Sequence, residues 1–549
     1  DTWYGDDGLW AGLSQAYQGK WYAGPLGLKV LWYRSVEGNL SIEGQRLDAV
    51  APPMQSTVPT GYGKTGYQAS GLEFPSEGCW EVIGKTGNHE LRFMVRVYPA
   101  HDHPLTGTVS ADDLESSVPA VVWKGNSEGH LLVPIDPASG QALSNYEPIS
   151  LGLSYSYAFS PDQRRLAVVG YISEQGPNGG NLHLIDLETW EDHFQELHLN
   201  AYVSAMGFSP DGERLVIAYG NVDSQILVLN VAEPPIKSEF ATLQTEMGFL
   251  VNKMKFTSDG SGLMVYGYKT VNPSSVNQMN PDPPQVELLD STDLSVLWNA
   301  DLQGVRHGIL PKNETSDEPV DSTQPGQAIY LFPGLKFAPE RDVLYVAHAD
   351  EDKLTTVDFN AQEIGSMEIK SQLSWIDQLL SLTASVAHAK VAEGTTKHVA
   401  ISPDGETLYV VGQHNDLSQD KNDEWQIIEY PLGLQAVRAE DGSRLARYDT
   451  EASDISISYD GRYLFLQGWS QTDGSAWTQI FDVATNEPVT RIENNTWLVP
   501  TRRLNGQPIL ASSVYINGAS EHQYTTADPD DLSVLAEWSS ADYLVWLRP

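Results

Sequence analysis

The sequence predicts an all-β protein, and three observations predict it. Its 549 residues include 46 glycines and 32 prolines, and 10% are aromatic, a composition that suits strands joined by many tight turns. A short motif built on Ser-Pro-Asp-Gly recurs along the chain, each time between two apolar runs. Residues 1–100 lack that motif and carry short strand-like runs of their own. Hydrophobic residues make up 41%, enough for a sizeable core, and the length suits two or more domains.

The repeat carries most of the architecture. Six segments show it, intact or degenerate: Tyr157–Val169, Met206–Ile217, Met254–Val265, Leu335–Val346, Val399–Val410 and Ile455–Leu466. Phe159, Phe208, Phe256, Phe337, Ile401 and Ile457 each stand at one fixed distance before the acidic turn residue. Leu166, Leu215, Leu263, Leu344, Leu408 and Leu464 stand at another fixed distance after it. This spacing predicts a β-hairpin, with apolar residues alternating on either side of a short Asp/Gly turn. A second strand pair recurs between the hairpins, as in Asn181–Thr189, Gln225–Glu233, Gln285–Thr292, Lys353–Asn360 and Trp477–Thr485. Four strands at a spacing of roughly 50 residues predict a propeller blade.

These residues resemble the YVTN/WD40-like β-propeller superfamily, in which SPDG marks a turn between blade strands. The resemblance covers about Val118 to Pro549 and implies a fold far more than an activity. A seventh blade without the marker is read from Thr496–Arg503 through PILASSVYI and EHQYTTAD to Leu532–Trp538. An eighth combines three front strands, Ala120–Gly125, His130–Asp136 and Gln141–Tyr146, with Asp542–Pro549 from the chain end. Such closure would remove exposed sheet edges, so eight blades are preferred to seven.

Two polar insertions, Thr270–Pro284 and Gly304–Gln327, interrupt the repeats, and decorations of this kind offer contact surface. Ser371–Leu382 places Leu373, Ile376, Leu379 and Leu380 at helical spacing and reads as a short amphipathic helix. Before the repeats, residues 1–100 read as an immunoglobulin-like (Ig-like) β-sandwich. Its strands are Leu28–Arg34, Leu40–Leu47, Gly71–Gly84 and Glu90–Val97; in the last, Leu91, Phe93, Val95 and Val97 alternate with Arg92, Met94 and Arg96. GLWAGLS with FPSEGCWEV resembles an uncharacterised domain of secreted or surface bacterial proteins. That resemblance implies an extracytoplasmic location and no known activity. Residues 101–117 then form a linker.

Charge narrows the partners. Asp and Glu outnumber Lys and Arg by 73 to 33, for a formal net charge of −40. Nucleic-acid phosphates and anionic membranes both demand basic patches, so neither is expected, whereas cation binding is permitted. The single cysteine, Cys79, excludes an intrachain disulfide, a cysteine-based zinc site and a CxxCH haem attachment. No apolar run approaches the length of a membrane span, and the opening DTWYGDD is not a signal peptide, as in a chain already processed.

Motifs that could carry chemistry lack partners in the sequence. GNSEG around Ser127 matches a nucleophile pattern that works only on a strand-to-helix turn, and here it joins two strands. GYGKTG (Gly61–Gly66) has no helix after it and reads as a loop. His101 and His103 flank Asp102 in the linker, with no element to converge them on a metal. His348, His398 and His414 lie near strand ends and read as structural histidines. Cys79, beside Trp80, reads as a small buried hydrophobe. His414–Trp425 reads as an acidic loop, and Asp416, Asp420 and Asp423 are the candidate ligands for a hard cation such as calcium. Ala347–Lys353 and Asp528–Asp531 are acidic stretches of the same sort. Asn39, Asn313 and Asn494 begin Asn-x-Ser/Thr sequons, which carry little weight in a bacterial protein, as the resemblance implies.

The expectation is therefore a non-catalytic binding or scaffold protein, extracellular or at the cell surface, that contacts a protein or polysaccharide through propeller faces and inserts. Self-association stays open, and no cofactor motif is identified. The alternative is a secreted hydrolase or lyase with its active site over the propeller channel, where residues from distant blades would meet.

Overall fold

A computed structural model describes residues 2–5, 8–13, 21–22, 24–58, 63–98, 108–109, 120–126, 129–137, 141–143, 146–151, 154–171, 180–197, 199, 203–220, 224–232, 242–244, 249–269, 283–311, 328–369, 385–387, 393–419, 425–458, 460–469, 476–485, 487–492, 496–502, 508–515, 522–529, 532–540 and 544–546. Regular structure among them is entirely β-strand. No helix there is long and apolar enough to cross a membrane. The chain divides into two compact units. One contains Asp1–Tyr155, Gly170–Gly176 and Thr501–Pro549; the other contains Ser156–Val169 and Pro177–Pro500.

In the first unit, two sheets share one core. The first has the order Thr2–Gly5, Leu9–Leu13, Gly24–Arg34, Gly66–Phe74, Gln55–Thr57; the second has Trp21–Tyr22, His89–Tyr98, Gly78–Thr86, Ser41–Arg46. Leu9, Val30, Trp32, Leu72 and Phe74 of the first pack against Trp21, Ile42, Trp80, Val82, Val95 and Val97 of the second. Both central tryptophans satisfy their indole N–H groups, Trp32 on Ser70 Oγ at 2.9 Å and Trp80 on the Ser76 carbonyl at 2.9 Å. The run Gly71–Gly84, read as one strand from sequence, is two strands in different sheets. Pro75 lies in the break between them, where it has no ladder N–H to lose.

The same unit contains a sheet drawn from both ends of the chain. Ala120–Asn126 pairs antiparallel with Gly129–Ile135 on one side and with Leu544–Trp546 on the other, with Trp123 opposite Val545. Thr108–Val109, in the segment read as linker, pairs parallel with Ala142–Leu143 of this sheet. Pro508–Tyr515, His522–Ala527 and Val534–Ser540 form an antiparallel meander.

Six further sheets, here numbered one to six, make up the second unit, apart from the strand ends Ser154–Tyr155 and Gly170–Tyr171 of sheet one. Their first strands are Ser154–Phe159, Val203–Phe208, Phe249–Phe256, Gly334–Phe337, Glu393–Ile401 and Asp454–Ile457. Sheets one, two, three, four and six are four-stranded meanders in sequence order, the blade pattern. Burial is graded within sheets three, four and six. In sheet four the second strand, Val343–Ala347, is buried almost throughout, while the fourth, Glu363–Glu368, is almost wholly exposed. The expected alternation of apolar and polar residues is thus absent from the second strands. A strand with a packed sheet on each face buries both sets of side chains and reads as a continuous apolar run. Apolar layers between successive sheets show this packing: Phe249, Met254 and Phe256 against Val216 and Ile226, and Leu344, Val346 and Phe359 against Met264 and Val286.

Local chemistry explains the recurring turn. In the second repeat Ser209 donates its backbone N–H to the Arg214 carbonyl at 2.9 Å, and Gly212 donates to the Ser209 carbonyl at 2.8 Å. The Ser209 hydroxyl accepts from Arg214 N at 2.9 Å and donates to Asp211, whose carboxylate also accepts from Glu213 N at 2.9 Å. Ser and Asp thus each bind the turn's own backbone. The glycine supplies left-handed backbone, with φ near +72° at Gly212, +73° at Gly260, +71° at Gly405 and +72° at Gly461. The first repeat puts Gln163 there instead, at φ +61°. An arginine in or just after the turn then ties sheet one to two, two to three and four to five. Arg165 donates to the Gly212 carbonyl at 2.7 Å, Arg214 to Gly260 at 2.6 Å and Arg341 to Gly405 at 2.5 Å. Sheet three has Gly262 at that position, and Lys255 makes the tie instead, donating to the carbonyls of Ala338 and Pro339 at 2.7 and 2.8 Å.

Candidate functional site

Sheet five departs from the blade pattern, and the departure builds a cavity. Its second strand, Thr407–Gln419, is long enough to pair twice. One half pairs with Leu434–Arg438 and the other with Trp425–Pro431. Its first strand also pairs in parallel with Ala328–Phe332, which follows the second insertion, with Ile329 opposite Glu393. These additions, with the loop His348–Asp352 of sheet four, surround a cavity of about 570 Å³. Arg306, Asp350, Glu351, Asp352, Glu393, Thr395, Lys397, His414, Tyr430 and Arg447 supply its polar lining.

Two cations are sunk beside it. The side chains of Lys397 and Arg444 are each only 6% exposed. Lys397 Nζ donates to the Glu351 carbonyl at 2.8 Å and lies 4.0 Å from Asp352 Oδ1. Arg444 Nη2 donates to Gln435 Oε1 at 2.9 Å and lies 3.7 Å from Asp352 Oδ2. Its Nε and Nη1 have no hydrogen-bond partner among the described residues. Burial pulls the Lys397 ammonium below its usual range, and Asp352, Asp350 and Glu351 oppose that pull. Arg306 Nη1 lies 3.6 Å from Asp350 Oδ2. Four carboxylates and three cations thus line the cavity, with Arg444 beside it, an arrangement that can hydrogen-bond a hydroxyl-rich or mixed-charge ligand.

His414 sits in a hydrogen-bonded chain. Its Nε2 lies 3.0 Å from Asp416 Oδ1 and its Nδ1 lies 2.8 Å from Thr395 Oγ1. The carboxylate can only accept, so Nε2 carries the proton and Nδ1 accepts from the threonine hydroxyl. Thr395 is buried on a strand laddered on both sides, so its neighbouring N–H groups are engaged and offer no oxyanion hole. The chain orients the imidazole.

Several sequence expectations change here. Asp416 lies on a strand, opposite Ile428, because the acidic stretch continues the hairpin beyond the sheet, so the loop reading of residues 414–419 is corrected. Asp420 and Asp423 lie outside the described residues, as do Ser127, His101, His103, Asn313, Asn494 and the segment Ser371–Leu382. Most of both insertions also lies outside them. Among the described residues no group of three or more His, Cys, Asp or Glu side chains could hold a metal ion. The other two histidines stand apart: His348 is fully buried with Nε2 2.8 Å from Thr355 Oγ1, and His398 Nδ1 lies 3.4 Å from Asp454. Cys79 is half-buried in Gly78–Thr86. The acidic run at Ala347–Lys353 does reach the cavity, through Ala349, Asp350, Glu351 and Asp352. Lys397, Arg444 and Thr395 were not singled out from sequence. The available signal was Lys397, a charged residue among the apolar positions of its strand.

The described sheets define an all-β protein built on propeller-like blades. No protein-family description and no curated protein sequence matches the chain. Solved structures similar to it include a eukaryotic initiation factor, at 14% identity and TM-score 0.41 over 78% of this chain and 98% of that one. Kuenenia stuttgartiensis hydrazine synthase is similar at 13% identity and TM-score 0.36, over 75% and 93%. The β-propeller domain of Myceliophteria thermophila Cps50 (Swd1) is similar at 12% identity and TM-score 0.37, over 66% and 93%.

Proposed function

We propose that this protein is a non-catalytic binding protein that works outside the cytoplasm and takes a polar ligand, a polysaccharide or the polar face of a surface protein, in the cavity beside sheets four and five. One observation carries the reading: Lys397 and Arg444 are sunk beside the cavity with Asp352 between them. Burying charge is costly, and an apolar pair would fill a layer between sheets at least as stably. Cations placed there against that cost are suited to recognition. The reading takes the whole fold as an Ig-like β-sandwich followed by an eight-bladed propeller, with Leu544–Trp546 as the closing strand. The pairing of that strand with Ala120–Asn126 supports the count.

A screen of the full chain on immobilised neutral and acidic polysaccharides, with surface-protein peptides alongside, tests it. A retained ligand should be released by Lys397→Met at an unchanged melting temperature. The hydrolase alternative draws on the Thr395–His414–Asp416 chain. Turnover of ester or glycoside substrates that Thr395→Val abolishes would establish it and overturn the binding reading.

A further inference from the structure

The outer face of the first sheet in the first unit is aromatic, where the open face of an antiparallel sheet is normally polar. Strand register puts two neighbouring rows on that face. Trp3, Gly12, Leu31 and Ala69 lie side by side across four strands, and Gly5, Trp10, Tyr33 and Tyr67 form the next row. The residues that alternate with them, such as Leu9, Val30 and Trp32, fill the core on the other face. Trp3, Trp10, Leu31 and Tyr33 are 37–39% exposed and Tyr67 is 60% exposed. The rings make one surface. Tyr33 and Tyr67 have centroids 4.9 Å apart, and Tyr67 and Trp3 have centroids 6.1 Å apart although their strands are separated by two others. Trp3 reaches inward by lying flat on the sheet. A Cβ built on Gly12 would stand 3.0 Å from Cη2, 3.0 Å from Cζ2 and 3.1 Å from Cε2 of that indole. A point nearly equidistant from three atoms of one six-membered ring lies close to the axis of the ring. One indole face therefore covers Gly12, which is buried beneath it, and the other is left to solvent.

We propose that this face binds a neutral polysaccharide chain, with sugar rings stacked on Trp3, Tyr67 and Tyr33. Ring chemistry, charge and size together select that occupant. A pyranose with equatorial hydroxyls has apolar C–H faces and a polar rim. The electron-rich face of an indole or phenol accepts the C–H face, while the hydroxyls stay in water or meet the tyrosine hydroxyls, so little polar surface is stranded. None of the eight positions is charged, in a chain with 73 acidic and 33 basic residues, and the negative field of the molecule repels acidic polysaccharides. The rows cross four strands, about 14 Å at the usual strand spacing. A stable protein interface engages about 20–30 residues on each side, far more than this patch supplies, so a short run of sugars matches it better than a second copy of the chain. The site shares no residue with the cavity beside sheets four and five and does not rest on what that cavity takes.

Isothermal titration calorimetry on the full chain tests it, with cellohexaose, xylohexaose and mannohexaose as neutral probes and hexagalacturonate as the acidic one. At least one neutral hexaose should bind, and at least tenfold more tightly than hexagalacturonate. Trp3→Ala and Tyr67→Ala should each weaken that binding at least tenfold, with the melting temperature held, because both side chains are on the surface. Gly12→Val keeps every ring but pushes the Trp3 indole off the sheet, and it should weaken binding severalfold. The three substitutions lie on different strands, so a folding defect in one leaves two to decide. Lys397→Met should leave the affinity within twofold. No heat from any neutral hexaose at millimolar concentration would overturn the site. So would a loss in Lys397→Met with none in Trp3→Ala, which would place the sugar in the cavity. A dimer in analytical ultracentrifugation that Trp3→Ala dissociates would make the face a contact between copies and overturn it as well.

Discussion

Sheets two and three differ from sheets four and five in what lies between them. Between two and three the layer is apolar, with Val216, Val228, Phe249, Val251, Met254, Phe256 and Leu263 all buried together. Between four and five, Tyr345, Leu354, Ile401 and Leu408 make a similar layer, but the contacts of Asp352 with Lys397 and Arg444 also cross it. The first layer is what stability selects. The second keeps groups that dry packing would exclude, and it lies against the cavity and the longest strand of the second unit. The same blade plan therefore carries both kinds of layer, and the polar one is where the proposed binding function is placed.

Cutting into each layer is the strongest way to break this comparison. Phe256→Ala should cost about 3–5 kcal/mol in urea unfolding, since it empties a fully packed site under the Arg214 guanidinium. Lys397→Met should change stability by no more than about 1 kcal/mol, because it removes a buried charge along with its hydrogen bond. Equal losses would mean that the charged layer is a structural one.

His307 gives the next effect. It is buried against Tyr266, Tyr268 and Phe332, with Nδ1 2.8 Å from the Tyr266 hydroxyl, and burial lowers it to about 4. The unfolded chain therefore takes up this proton first as pH falls. The contribution is fully present above about pH 6.5, declines below it, and is lost by about pH 4, a difference of about 3 kcal/mol. Unfolding of the protein and of His307→Gln, followed between pH 7 and 4, should show the variant losing less. Parallel curves would remove His307 from the acid response.

The smallest effect compares one repeat with another. Gln163→Gly should stabilise by about 0.5–1 kcal/mol, by relieving left-handed backbone at the cost of the Gln163 bond to the Ser160 carbonyl. Gly212→Gln should destabilise by about 1–2 kcal/mol, because it imposes the same strain and brings a Cβ to 3.0 Å from Arg165 Nη2. Thermal melts of the pair should move in opposite directions.

The hairpins were legible because their determinants are local. Ser209, Asp211 and Gly212 bond the backbone of their own turn, so the motif predicts the turn wherever it occurs. The arginine ties were not legible: Arg214 and Gly260 are linked only once two sheets are packed. The alternation expected in the second strands failed for the same reason, since a neighbour on each face removes the polar phase. The acidic stretch after His414 looked like a loop because its composition is that of loops, yet its pairing with Trp425–Pro431 makes its first part a strand.

By itself, then, the sequence determined the all-β class, the turn positions and the four-strand rhythm, because each follows from hydrogen bonds and apolar spacing within a few residues. Only the tertiary structure decided that Asp352, Lys397 and Arg444 would meet. Electrostatic neighbours are set by distance in space, and those residues come from strands that the chain separates by tens of residues.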